Sequence, residues 1–162
     1  MSLSVGTDAF WSLADVRAYW AARGETAWEV GNLPDVDAEV LIRKATDYIN
    51  RKWDFVGDKA TAAQRLKWPR KYAMVEGFTL DENVIPWQVQ EATAIVADLL
   101  RQGTFDAEGI VTDDTAAIQK QRVDVVEVVY DTAKRLQGGA IASHVIELLR
   151  PVLRGQGGLV RA

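Results

Sequence analysis

Residues 64–91, QRLKWPRKYAMVEGFTLDENVIPWQVQE, constrain this chain more than any other stretch, because they join two amphipathic helical patterns. Two prolines punctuate them. Pro69 follows Trp68, and a residue before proline is driven out of the helical region towards an extended conformation. Pro86 sits where a first helical residue belongs, since its missing N–H costs nothing there. Any fold must therefore set the ring of Trp68 and the charged fork of Arg70 in a stiff connection between helices. The stretch contains no Ser, Cys or His, so it does not read as a catalytic loop.

The patterns on either side place the remaining elements. Residues 1–10 read as an extended or flexible N-terminal arm. Ser12 offers an N-cap to a first helix carrying Leu13, Val16, Tyr19 and Trp20, and Gly24 closes it. Residues 25–34 are a linker containing Trp28. A second helix, from about 34 to 53, has the clearest apolar stripe: Ala38, Leu41, Ile42, Ala45, Tyr48 and Ile49, with Arg43, Lys44, Asp47 and Arg51 outward. Residues 54–84 are mainly irregular, with a short helical turn expected from the capping-box spacing of Thr61 and Gln64. The third long helix runs from Pro86 to about Gln102 on Val89, Ala92, Val96, Leu99 and Leu100.

Beyond it, residues 103–117 are an acidic loop with Asp106, Glu108, Asp113 and Asp114. Residues 121–130 are rich in valine, and their β-branched density predicts a strand. Ser143 caps a shorter last helix with Val145, Ile146, Leu149, Val152 and Leu153, which Pro151 ends or kinks. The glycine-rich tail, residues 154–162, is expected to be flexible. The predicted fold is mainly α: one domain over residues 1–162, a bundle of three long helices and a shorter C-terminal one, with a small projecting β element. The predicted strand lacks a strong partner. It pairs either with a weak local strand near residues 72–80 or with another molecule.

Composition removes several function classes. With no cysteine, disulfides, thiolate catalysis and cysteine zinc sites are excluded. No apolar run approaches a membrane span, and the N-terminus lacks a basic region followed by an apolar block, so the expectation is a product that stays in the cytoplasm. The single histidine, His144, reads as a helix-start residue rather than a metal ligand or base. Asp113 and Asp114 lack the alternating oxygen ligands of a calcium loop. Residues 155–158 lack the Gly-Lys-Ser/Thr ending of a phosphate loop. The expectation is no enzyme, no cofactor and no metal.

The net charge of −4 bears on nucleic acid. Phosphate binding relies on clustered Lys and Arg that release counterions, and here only Arg65, Lys67, Arg70 and Lys71 cluster. Six tryptophans need placing. Trp20 and Trp53 fall near apolar stripes and read as core; Trp11, Trp28, Trp68 and Trp87 are divided between core and intermolecular anchor.

The segments SLSVGTDAFWSLADVRAYWAARG, ATDYINRKW, QRLKWPRK and IPWQVQEAT together resemble the head-to-tail adaptor (connector, or head-completion) proteins of long-tailed phages. Similar sequences are often described as DnaT-like single-stranded-DNA-binding proteins. The resemblance spans residues 4–161, departs in the acidic segment 103–117, and is most specific at Leu66-Lys67-Trp68-Pro69-Arg70. It implies a structural virion protein, made in the host cytoplasm and residing in the neck. There it would form a ring, a dodecamer in the family's manner, between the portal protein and a tail stopper or tail-terminator protein. Genome DNA would pass through the lumen without specific binding. Candidate subunit-interface residues are Arg65, Trp68, Arg70, Lys71, Trp87, Val123, Val125 and Tyr130. Candidate portal-docking residues are Gly155, Gly158, Leu159, Val160 and Arg161. The rival reading is a single-stranded-DNA-binding module that uses Trp68 with Arg65, Lys67, Arg70 and Lys71 as a stacking and phosphate platform.

Overall fold

The computed structural model describes residues 2–103 and 143–155. Helix α1 (Leu13–Ala21) starts where Ser12 Oγ accepts the Asp15 amide at 3.1 Å. A 3-10 turn (Thr26–Trp28) leads to α2 (Asp35–Lys52), whose first turn carries Asp35 and Asp37 and whose last carries Arg51 and Lys52. Those charges oppose the helix dipole at both ends. Four two-residue strands follow: β1 (Asp58–Lys59), β2 (Arg70–Lys71), β3 (Met74–Val75) and β4 (Phe78–Thr79). Helix α3 (Trp87–Arg101) follows Pro86, which serves as its N-cap. Residues 143–149 are helical and run into a 3-10 turn (Arg150–Val152).

The predicted bundle of three long helices is not what forms. Only α2, with 18 residues, and α3, with 15, are long, whereas α1 has 9. Residues 58–79, read as mainly irregular with at most a weak strand near residues 72–80, make two antiparallel two-stranded sheets, β1 with β2 and β3 with β4. The architecture is a mix of helix and sheet. Two-residue strands are too short to show the alternation by which a strand is recognised in sequence, which is why this part escaped the pattern. The helical turn predicted from Thr61 and Gln64 is also absent. Gln64 Oε1 accepts the Thr61 amide, but Gln64 Nε2 donates to the carbonyls of Leu66 and Pro69, so the side chain ties a loop together. The predicted valine-rich strand, residues 121–130, lies outside the described residues, as does the acidic loop beyond Gly103.

Helix α3 sits at the centre, with nine of its residues buried. It packs chiefly on α2, whose Ala38, Ile42, Ala45 and Ile49 meet Val89, Ala92 and Val96 in one core with Phe10, Trp28, Phe55 and Trp68. Both ends of the chain's described parts reach this core. Ala9 and Phe10 are fully buried, and the Phe10 amide donates to Thr46 Oγ1 on α2. At the other end Val145, Leu149 and Val152 are buried, and the backbone zips against residues 54–56: Val56 N donates to Val152 O at 3.0 Å, and Arg154 N to Asp54 O at 2.9 Å. The tryptophan of the 3-10 turn is anchored to α3, since Trp28 Nε1 donates to the buried Asp98 carboxylate at 2.9 Å, which Arg101 also engages. A buried carboxylate is tolerated because these donors replace its water.

Gly57 is the tightest point of the middle segment. Its φ is +75°, and a Cβ there would lie 2.5 Å from the Lys71 carbonyl oxygen and 2.8 Å from the Ala73 nitrogen. Both obstacles are backbone, so no side chain can move aside. Gly57→Ala is expected to lower unfolding free energy by about 2–4 kcal/mol, combining positive-φ strain with the backbone clash. Chemical denaturation followed by circular dichroism measures it, and a loss below about 0.5 kcal/mol would contradict this packing.

Candidate functional site

Residues 53–71 curl around two side chains that the sequence singled out. Trp68 is 0% exposed and packs edge-on to Phe55, with ring centroids 5.7 Å apart. Its Nε1 has no hydrogen-bond partner among the described residues, so the ring contributes apolar bulk. The Trp68–Pro69 peptide bond is cis. Beside it Arg70 turns inward. Arg70 Nε donates to Val56 O at 2.7 Å, Nη1 to Lys67 O at 3.0 Å and Nη2 to Gly57 O at 2.5 Å. Burial pulls the Arg70 pKa below its ordinary value, yet a guanidinium keeps its proton at any physiological pH. The charge is therefore spent on three carbonyls, of which Gly57 O also accepts from Arg154 Nη2 at 3.4 Å.

The other cations of the cluster are also engaged. Lys67 Nζ donates to Trp53 O and to Asp54 Oδ1, both at 2.7 Å. That hydrogen bond, with the ammonium charge, holds the Asp54 carboxyl below the usual carboxylate range. Arg65 pairs with Asp47 at 3.2 Å, and Lys71 lies 3.6 Å from Glu82. Arg65, Lys67, Arg70 and Lys71 thus do not pool into a patch. Neither the predicted stacking platform nor a Trp68-based subunit contact is presented at the surface, since the ring is wholly enclosed and Arg70 is only 8% exposed.

What the surface does present is the next stretch of chain. Strands β3 and β4 form a hairpin closed by Glu76 and Gly77, with φ of +51° and +86°. Positive φ at both central residues defines the mirror-image turn that matches strand twist. Tyr72 precedes the hairpin at φ +56°, a conformation an aromatic residue seldom adopts and one that clusters at functional positions. Tyr72 is 79% exposed, Phe78 75% and Met74 60%, while Val75 between them is buried. The Leu80 amide, donating to Ala73 O at 2.8 Å, fixes the hairpin's base. Further along, Val84 and Trp87 are exposed too.

Of the predicted interface residues, Trp87 is exposed, Lys71 and Arg65 are at least partly so, and Trp68 and Arg70 are inside. Val123, Val125 and Tyr130 lie outside the described residues, and so do Gly158, Leu159, Val160 and Arg161. Gly155 is exposed at the last described position. Sequence reasoning missed Tyr72, Met74 and Phe78. The Glu76-Gly77 pair between Met-Val and Phe-Thr was the available signal, weakened because Glu stands where Asn or Asp usually marks such a turn.

A shallow groove of about 290 Å³ lies between α1 and the 3-10 turn, lined by Ala18, Ala21, Trp28 and Val30 with Arg17, Glu25 and Glu29. No helix of the described residues is long and apolar enough to cross a membrane.

These features define a small helix-and-sheet protein whose two most exposed aromatics, Tyr72 and Phe78, lie at one hairpin. The model of the family described as "Putative DnaT-like ssDNA binding protein" matches residues 2–162. The chain belongs to that family. Comparison with curated proteins and with solved structures finds no match.

Two substitutions test the interior knot. Trp68→Ala removes a fully enclosed ring and is expected to cost about 3–5 kcal/mol of stability. Arg70→Lys leaves at least one carbonyl unpartnered and is expected to cost about 1–3 kcal/mol. Urea unfolding measures both; wild-type stability in either would mean the knot does not hold the fold.

Proposed function

We propose that this chain is a structural virion protein, a head-to-tail adaptor that assembles as a ring between portal and tail in a long-tailed phage. One observation carries the assembly part of this reading: Tyr72 and Phe78 are exposed at a tight hairpin whose neighbouring charges are mainly acidic. Lys71 stands against Glu76, Asp81 and Glu82, and Arg70 is turned inside. Such a surface repels phosphate and suits protein. The virion part rests on the resemblance to phage adaptors. A net charge of −4 also fits a lumen through which DNA slides without sticking. In this reading the tail from Gly155 onward docks to the portal protein.

The family description favours a second reading, single-stranded DNA binding. Bases would then stack on Tyr72 and Phe78, because Trp68 is enclosed. Fluorescence anisotropy with a labelled oligonucleotide separates the two. The adaptor reading expects no binding at about 150 mM salt and none that grows steeply as salt is lowered. Micromolar, steeply salt-dependent binding that Tyr72→Ala and Phe78→Ala remove would establish the DNA reading instead.

Portal attachment gives the positive test. Electron microscopy of the protein mixed with portal is expected to show a ring on one portal face. Deleting residues 155–162 should abolish attachment while leaving melting temperature and helical signal unchanged, because the last closing backbone bond among the described residues is that of Arg154 N to Asp54 O. Unchanged attachment would remove the tail from the docking role, and no ring on portal would remove the adaptor reading.

A further inference from the structure

The outward face of α2 complements the hairpin. Val36, Val40, Lys44 and Arg51 are all exposed, and their spacing of four, four and seven residues sets them along one strip of the helix. From Val36 to Arg51 that strip is about 22 Å long. Arg43 is paired with Glu39 and Asp47 with Arg65, which leaves Lys44 and Arg51 on the strip, with the exposed Asp37 at its edge beside Val36. Lys44 and Arg51 have no carboxylate partner among the described residues, as Arg51 donates only to the Asp47 backbone carbonyl. Two exposed valines therefore lie in line with two unpaired cations.

The hairpin carries the opposite combination. Tyr72, Met74 and Phe78 are exposed, and after Lys71 pairs with Glu82 the carboxylates of Glu76 and Asp81 have no cation partner among the described residues. Its two-residue turn and the Leu80–Ala73 hydrogen bond keep it rigid, so little conformational freedom is lost on docking. Both surfaces are exposed within one chain, so they do not meet intramolecularly.

We propose that the hairpin of one copy docks on the α2 strip of the next, with Tyr72 and Phe78 covering Val36 and Val40, and Glu76 and Asp81 facing Arg51 and Lys44. The two surfaces differ, so the contact is head-to-tail, the type that propagates and closes into a ring when its rotation permits. This contact deepens the ring-assembly reading above and rests on it. It also assigns the strained Tyr72 a use: its positive φ holds the ring outward as an anchor.

The chain has no cysteine, so introduced thiols can be cross-linked without background. A Thr79→Cys/Lys44→Cys double variant, treated with a short bismaleimide at the highest soluble concentration, is expected to give a ladder of multimers on a denaturing gel. Thr79→Cys alone should stay monomeric, and so should a Thr79→Cys/Ala14→Cys control that moves the second thiol to α1. Adding Phe78→Ala should cut the ladder about 30-fold with the helical signal retained. Glu76→Lys should weaken it about fivefold, and adding Arg51→Glu should restore it.

No ladder, an equal ladder from the α1 control, or a dimer from Thr79→Cys alone would overturn the contact. Rings on portal without the ladder would leave the adaptor reading standing and remove this interface. A ladder without portal attachment would do the reverse.

Discussion

Arg70 holds the middle of this protein together. A guanidinium carries donors in a fixed fork, and here the fork reaches carbonyls of Val56, Gly57 and Lys67 that come from two separate turns of chain. Without it the Val56 and Lys67 oxygens would lose this donor, each at a cost of about 1–3 kcal/mol where no water replaces it, and Gly57 O would keep only Arg154 Nη2 at 3.4 Å. With it, the loop closes tightly enough to enclose Trp68 against Phe55, and β2 is held beside β1 in the register Lys59 with Arg70. Gly57 is required at the same point because the backbone of Lys71 and Ala73 passes where a Cβ would sit.

That interior use of charge determines what is left for the surface. Each cation near Trp68 is tied to a carbonyl or a carboxylate, and a cation held this way releases few counterions on meeting phosphate. The chain downstream leaves the knot as a tight hairpin and exposes Tyr72, Met74 and Phe78. In the contact proposed above, this apolar, acid-flanked projection would meet the α2 face that carries Val36, Val40, Lys44 and Arg51. The family description and the surface thus point to different partners, and the difference rests on the enclosure of one tryptophan and one arginine.

Much of the helical part was legible in the sequence. The stripe of α2 was read correctly because its buried residues recur at helical spacing over about three turns, and Ser12 and Pro86 marked helix starts by their own chemistry. The predicted three-helix bundle failed because α1 is short and the middle segment forms sheets. Residues 58–79 have no period to detect. Their strands exist because turns, Gln64 and Arg70 bring them together, and none of those long-range bonds is visible in a window of ten residues. The site failed for a related reason. Trp68 and Arg70 stood out as unusual residues in a stiff connection, but sequence does not say on which side of the surface a ring lies.

The sequence by itself determined the helix positions, the stiffness of the Trp68-Pro69-Arg70 connection, the lack of thiol chemistry and the acidic balance. These follow from local sterics and from composition, which need no partner in space. Only the tertiary structure decided that Trp68 and Arg70 face inward, that their neighbours are already paired, and that Tyr72 and Phe78 face water. Burial is a property of what the rest of the chain packs against, and Phe55, Val56 and Gly57 reach Trp68 and Arg70 only when the fold closes.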